Sequence, residues 1–230
     1  MRHLTIAVLA LILSSTVGRA DRYDDCFQYQ DSARQLRGCT LIIELGDKET
    51  RKLRAKAHYN RASHYYVKGE WKIAIIDYTK SIAMDPNNPF SYGRRGEAYL
   101  NRGRFERAIA DFSKAIKMQP NYFMAYYHRG FAHRNIGDRN RAEADFEEFM
   151  RRVPKNSPGY FVGRGNVSAV AGNQRRAISD FNKAIEKHSR QIFAYRDRGI
   201  AHKDSGQFRK AKADFRKARQ LRPGLWVPVF

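Results

Sequence analysis

The sequence predicts an all-α protein built from a tandem array of five helical hairpins. The chain has 230 residues, 42% apolar and 13% aromatic, which is enough for a packed core and too apolar for a disordered polymer. It resembles itself when shifted by 34 residues, and each copy has a glycine between two stretches whose apolar residues recur every three or four positions. Four of the five copies end in a proline, where a second helix would stop.

The first twenty residues have the composition of a secretory signal. A basic head is followed by an apolar stretch over residues 4–13 and by a small, polar stretch that ends in Ala20. This apolar stretch is about half the roughly 20 residues that cross a bilayer, so cleavage after Ala20 is favoured over an uncleaved anchor. We therefore expect an exported protein, periplasmic or secreted, with no transmembrane segment after removal of residues 1–20.

Residues 21–54 repeat imperfectly and contain both cysteines, Cys26 and Cys39. An exported chain meets an oxidising compartment, which favours a disulfide between them. A redox-active thiol pair is the alternative, although the chain lacks a Cys-x-x-Cys motif. Residues 35–43 fit the second-helix pattern with Cys39 at the position of the core aromatic. This segment is therefore predicted to be a truncated repeat that caps the array, with a bridge worth roughly 3 kcal/mol.

Five copies of the repeat follow, at residues 55–88, 89–122, 123–157, 158–191 and 192–225. A glycine marks the turn of each hairpin, at Gly69, Gly103, Gly137, Gly172 and Gly206. Each second helix carries one aromatic residue at a fixed distance from that glycine. These aromatics are predicted to be core residues because no hairpin buries its apolar face alone; they are Tyr78, Phe112, Phe146, Phe181 and Phe215.

The period, and the order aromatic, Gly, aromatic, Ala, Phe and Pro, resemble the tetratricopeptide repeat over about residues 55–225. The best copy has Tyr92, Gly96, Tyr99, Ala108, Phe112 and Pro120. The resemblance implies a right-handed α-solenoid behind the truncated-repeat cap, similar to bacterial exported members of this family with paired cysteines. It also implies a groove, lined by the first helices, that binds a peptide or partner protein. The candidate groove contacts are Tyr59, Tyr66, Arg94, Asn101, Tyr127, Phe131 and Arg134.

An arginine lies eight residues before each turn glycine, and an aspartate lies eight residues after it. These positions meet in an antiparallel hairpin, so one charge-assisted pair per repeat is predicted, within the hairpin or across to its neighbour. A solvated arginine surface is the alternative. The residues concerned are Arg61 and Asp77, Arg95 and Asp111, Arg129 and Asp145, Arg164 and Asp180, and Arg198 and Asp214.

Positive charge is concentrated in the fifth repeat. The chain has 44 Lys and Arg against 23 Asp and Glu, a formal charge of +21. The basic patch of the last helix comprises Arg209, Lys210, Lys212, Arg216, Lys217, Arg219 and Arg222. It is interpreted as a solvated helix face or as a site for an anionic lipid or polysaccharide. Nucleic acid would fit the charge too, but export argues against it.

Residues 226–230 form an apolar C-terminal tail, predicted to fold over the last hairpin or, alternatively, to dock to a partner. No catalytic motif, phosphate loop or histidine pair with metal spacing occurs in the sequence, so no enzymatic activity, cofactor or metal is expected. The leading hypothesis is an exported, non-catalytic scaffold that binds a peptide or protein through its groove. The alternative is a basic envelope-surface binder of anionic lipid or polysaccharide.

Overall fold

A computed structural model of the chain describes residues 21–28 and 31–228; the predicted signal segment lies outside them. The described residues form helices and no strand, which confirms the predicted all-α class. Residues 21–27 are helical, and a 3-10 turn occupies Gly46–Lys48. The remaining helices are α1 (Ser32–Glu44), α2 (Arg51–Val67), α3 (Trp71–Met84), α4 (Pro89–Asn101), α5 (Phe105–Met118), α6 (Phe123–Asn135), α7 (Arg139–Arg152), α8 (Pro158–Val170), α9 (Gln174–Lys187), α10 (Ile192–Asp204) and α11 (Phe208–Leu221).

The chain divides into two compact units. The first contains the described residues up to Tyr66 together with Lys72–Asn87, and the second contains Val67–Trp71 together with the described residues from Asn88 onward. In the first unit, a disulfide joins Cys26 to Cys39, and both cysteines are fully buried. Ile42, Leu53 and Ala57 pack around this bridge, so the segment before the first repeat has a small apolar core of its own.

The second unit contains four helical hairpins in sequence order: α4–α5, α6–α7, α8–α9 and α10–α11. Each second helix packs on its own first helix and on the first helix of the next hairpin. Two of the first helices begin in the same way, because the side chains of Asn88 and Ser157 cap main-chain N–H groups and Pro89 and Pro158 start the helix.

All five predicted turn glycines adopt the left-handed conformation, with φ between 67° and 84°. Residues with a Cβ rarely adopt this conformation, so glycine is required at the sharp change of direction between the two helices. The predicted second-helix aromatics fill the space between hairpins, and each is at most 4% exposed. Turn and core therefore follow from the same repeated pattern.

Candidate functional site

The first helices of the second unit bring side chains from three hairpins together around Asp197. The Tyr127 hydroxyl and Asn166 Nδ2 each donate a hydrogen bond to Asp197 Oδ2 at 2.7 Å. Arg196 Nε donates to Asp197 Oδ1 at 2.9 Å, and a terminal nitrogen of Arg196 donates to the Tyr127 hydroxyl at 2.7 Å. We call the surface that the side chains of α4, α6, α8 and α10 build here the first-helix face.

The Asp197 carboxyl group at the centre of this network is ionised although it is buried. Asp197 is fully buried, which by itself would raise the pKa of its carboxyl group, but the charges of Arg196 and Arg134 overcome that effect and lower the pKa below its usual value. Burial raises the pKa of Tyr127 well above its usual range, and Asp197 adds to this effect. Tyr127 therefore keeps its proton and serves as a hydrogen-bond donor.

Phe131 connects this network to an aromatic cluster. The Arg196 guanidinium lies on the Phe131 ring, with its central carbon 3.5 Å from the ring centroid. The Trp226 indole meets Phe131 edge to face at 5.7 Å between centroids and meets Phe105 in the same way at 5.4 Å. Trp226 belongs to the predicted tail, so this part of the chain reaches the first helices.

Residues 222–228, which we call the tail segment, contact two surfaces of the second unit. The Trp226 main-chain N–H donates to Asn101 Oδ1 at 3.0 Å. Leu225 and Val227 are buried instead among the apolar residues of α10 and α11. In the predicted tail, Val227 therefore packs on the last hairpin, whereas Trp226 points the other way, onto the first-helix face; residues 229 and 230 lie outside the described residues.

Glu97 on α4 is a second acidic residue of this face. One of its oxygens lies 3.5 Å from a terminal nitrogen of Arg222 and 3.2 Å from a terminal nitrogen of Arg94. The other lies 3.9 Å from His128 Nε2. Burial lowers the pKa of His128 to about 4, and the nearby Glu97 carboxylate offsets only part of that effect. His128 is therefore neutral at pH 7.

An open cavity of about 210 Å³ lies beside the network. Its lining is apolar apart from one glutamine and consists of Phe123, Met124, Tyr127, Phe149, Gly159, Val162, Gln191 and Phe193. Since the Tyr127 ring belongs to both features, the cavity adjoins the Asp197 network. Aromatic walls of this kind accommodate an apolar side chain.

The seven predicted groove residues divide between the two units. Tyr59 and Tyr66 belong to the first unit, where Tyr66 is buried and Tyr59 packs edge to face on Tyr78 at 5.7 Å between centroids. The other five lie on the first-helix face of the second unit: Arg94, Asn101, Tyr127, Phe131 and Arg134. Arg134 joins the Asp197 network by donating to Asn166 Oδ1 at 2.6 Å.

The five arginine–aspartate pairs form within their own hairpins. In each pair, Nε of the arginine lies 2.7 to 2.9 Å from Oδ2 of the aspartate, and a terminal nitrogen lies 2.6 to 2.9 Å from Oδ1. Such two-point pairing holds the two helices in a fixed register. All five aspartates are buried, so they serve the hairpins rather than a surface site. Asp77 also accepts a bond from His58 Nδ1 at 2.9 Å.

The predicted basic patch splits in the structure. Six of its side chains are exposed on α11: Arg209, Lys210, Lys212, Arg216, Lys217 and Arg219. Arg222 is half-buried and turns toward Glu97. Within the described residues, no three His, Cys, Asp or Glu side chains are placed to hold a metal ion. No helix in this part of the chain is long and apolar enough to span a membrane.

Comparison with known families decides what these hairpins are. Family models described as TPR repeat or tetratricopeptide repeat match residues 55–88, 77–110, 96–137 and 124–156. The chain belongs to the tetratricopeptide repeat family. The resemblance noted in the sequence is thereby confirmed, and the matches cover the first three of the five predicted copies. No match is found among the curated proteins.

Solved structures share the fold, and two of those described here are tetratricopeptide repeat proteins. A tetratricopeptide repeat protein from Parabacteroides merdae is 20% identical, with a TM-score of 0.67 over 91% of this chain and 80% of that one. MamA from Desulfovibrio magneticus is 22% identical, with a TM-score of 0.52 over 73% of this chain and 94% of that one. YrrB, described as a TPR protein with an unusual peptide-binding site, is 19% identical, with a TM-score of 0.52 over 80% and 92%. These identities are low, so the likeness establishes the fold alone.

Four residues that build the first-helix face were not among the predicted groove contacts. Each occupies the same position in its tetratricopeptide repeat as a residue that was predicted, so comparing every repeat at those positions would have identified them. Glu97 and Asn166 share the repeat position of Phe131, Arg196 shares that of Tyr127, and Asp197 shares that of Arg94.

Proposed function

We propose that this tetratricopeptide repeat protein is an exported, non-catalytic scaffold that binds an extended segment of a partner protein on its first-helix face. The hydrogen bond from the Trp226 main chain to Asn101 carries the proposal. A side chain that holds a main-chain N–H group can bind extended polypeptides of varied sequence. The first-helix face therefore has the chemistry that the recognition of a protein segment requires.

The open cavity supports the same proposal. Its aromatic walls, including Tyr127, Phe149 and Phe193, offer a place for an apolar anchor residue of the partner. YrrB, which has the same fold, is described as having a peptide-binding site. Export is supported by the Cys26–Cys39 disulfide, because such bonds persist in oxidising compartments.

Site-specific photo-crosslinking tests the binding site. A photoreactive phenylalanine analogue would replace Phe123, which lines the cavity and is 40% exposed. The matched control places it at Phe208, which is 53% exposed at the start of a second helix. We expect a discrete protein adduct from position 123, weakened by Phe149→Ala, and none from position 208. Equal adducts from both positions, or none from position 123, would refute binding at this face.

Fractionation of the producing cells tests export. We expect the chain outside the cytoplasm, shortened at its N-terminus, with Cys26 and Cys39 protected from a thiol-alkylating reagent until a reductant is added. A full-length cytoplasmic chain with two reactive thiols would contradict export.

A second candidate function rests on α11. Its single acid, Asp214, is already paired with Arg198, and six basic side chains of this helix face solvent. Such a face suits an anionic lipid or polysaccharide.

Vesicle binding tests this second function. The wild-type chain should bind anionic vesicles at low salt, and Arg216→Glu with Lys217→Glu should abolish the binding. The matched control, Lys114→Glu with Lys117→Glu on α5, should retain it. Binding that both double variants lose equally would indicate net charge rather than a site.

A further inference from the structure

We infer that the tail segment is an internal ligand of the first-helix face, and that the partner it competes with presents an extended peptide carrying a basic residue four positions before an aromatic one. The inference rests on the proposed function, because it assumes that this face binds a protein segment. It adds the chemistry of that segment, and it means that the chain's own tail restricts access to the face.

Three contacts of the tail segment are of different chemical kinds, and they lie on α4, α5 and α6. Arg222 reaches the Glu97 carboxylate at 3.5 Å. The main-chain N–H of Trp226 reaches Asn101 at 3.0 Å, and its indole packs against Phe105 and Phe131. A carboxylate, a main-chain acceptor and an aromatic pocket together define a peptide pattern of Arg or Lys, three further residues, and an aromatic residue.

The path between these contacts is shaped by the tail itself. Gly224 adopts φ 79°, and a Cβ at this position would lie 2.8 Å from the Trp71 ring, so the chain turns here against an aromatic surface. Leu225 and Val227 are buried on the opposite side, in the last hairpin. Arg222 and Trp226 project their side chains onto the first-helix face, so changing these two residues should open the face while the last hairpin keeps its apolar cover.

Peptide binding to the full chain tests the inference. The probe is a fluorescently labelled synthetic peptide with the sequence of residues 222–228, compared with a scrambled peptide of the same composition. We expect a chain carrying Arg222→Ala and Trp226→Ala to bind the probe at least tenfold more tightly than the wild type and to ignore the scrambled peptide. Adding Asn101→Ala or Glu97→Gln to that chain should weaken binding about tenfold, whereas adding Ile136→Ala, at an exposed turn, should not.

A second measurement follows the tail in a chain that keeps both Arg222 and Trp226. The chain has two tryptophans, so Trp71→Phe, which keeps an aromatic ring beside Gly224, leaves Trp226 as the single indole fluorophore. An unlabelled peptide with phenylalanine in place of its tryptophan should shift the Trp226 emission to longer wavelength as the indole moves into water, with the far-ultraviolet circular dichroism unchanged. A scrambled peptide should produce no shift.

Several outcomes would overturn the inference: equal affinity of the wild type and the double variant, binding of the scrambled peptide, or binding indifferent to Asn101 and Glu97. Exchange of tails between two copies, seen as a peptide-sensitive dimer by light scattering, would overturn it as well.

The two proposals fail in distinguishable ways. If the peptide experiments fail while photo-crosslinking from position 123 still captures a protein, the tail inference is wrong and the proposed function stands. If both fail, the proposed function is wrong.

Discussion

The hydroxyl of Tyr127 and the carboxylate of Asp197 are 70 residues apart in the sequence and 2.7 Å apart in the structure. Asn166, from the repeat between them, donates to the same carboxylate oxygen. One buried carboxylate therefore ties three consecutive hairpins together. A buried charge is costly unless fully paired, so the arrangement of hairpins that completes this network is favoured over arrangements that leave Asp197 without its donors.

Replacing Asp197 should destabilise the protein strongly. Asp197→Ala leaves Arg196 buried without its carboxylate partner, which should lower the free energy of unfolding by about 3–5 kcal/mol. Tyr127→Phe removes one hydroxyl and keeps the ring, so a loss of about 1 kcal/mol is expected. Urea unfolding followed by circular dichroism measures both. A cost below about 1 kcal/mol for Asp197→Ala would mean that the network is hydrated.

The arginine–aspartate pairs inside the hairpins should also contribute measurably. Asp111→Ala removes both acceptors of Arg95, whose side chain is only 16% exposed, and should cost about 2–3 kcal/mol. The control is Arg141→Ala, because Arg141 is 74% exposed beside Asp138 and should contribute less than about 1 kcal/mol. Equal small losses in the two variants would show that the Asp111 pair serves geometry without adding stability.

These pairs show what the sequence could predict. Arg95 and Asp111 are 16 residues apart within one hairpin, and every repeat copies that relationship, so periodicity alone brings the two together. The turn glycines and the second-helix aromatics follow for the same reason. The fold was therefore predictable from a local pattern that occurs five times.

The first-helix face was less predictable because its contacts occur once. Tyr127 meets Asp197, and Trp226 meets Asn101, at sequence separations of 70 and 125 residues. Such contacts depend on how successive hairpins are rotated with respect to each other, which the repeat pattern does not encode. The positions recur in every repeat, but the residues at them differ in type, so no copy predicts which of these residues meet. Their chemistry became recognisable only when the helices were in place.

Reducing the Cys26–Cys39 disulfide should destabilise the N-terminal segment. Closing a loop of 13 residues restricts the unfolded chain, so Cys26→Ser with Cys39→Ser should cost roughly 3 kcal/mol. Thermal unfolding with and without a reductant measures this, and the double variant is the control because a reductant should not affect it. Unchanged melting of a wild-type chain whose two thiols have been shown to be free would contradict the prediction.

The stability of the second unit should fall in mild acid because of His128. The pKa of this buried imidazole is lowered to about 4, whereas an unfolded chain binds its proton near pH 6.5. Between these values the unfolded state binds more protons, so the stabilisation is fully present above pH 6.5 and is lost as the pH falls toward 4. A pKa difference of this size corresponds to roughly 3 kcal/mol of unfolding free energy.

His128→Gln cannot titrate, and it should therefore show a flatter dependence of unfolding free energy on pH. Urea unfolding at steps from pH 8 to pH 4 measures both chains, with His188→Gln, at an exposed position, as the matched control that should follow the wild type. Parallel curves for the wild type and His128→Gln would show that His128 is accessible to protons in the folded protein.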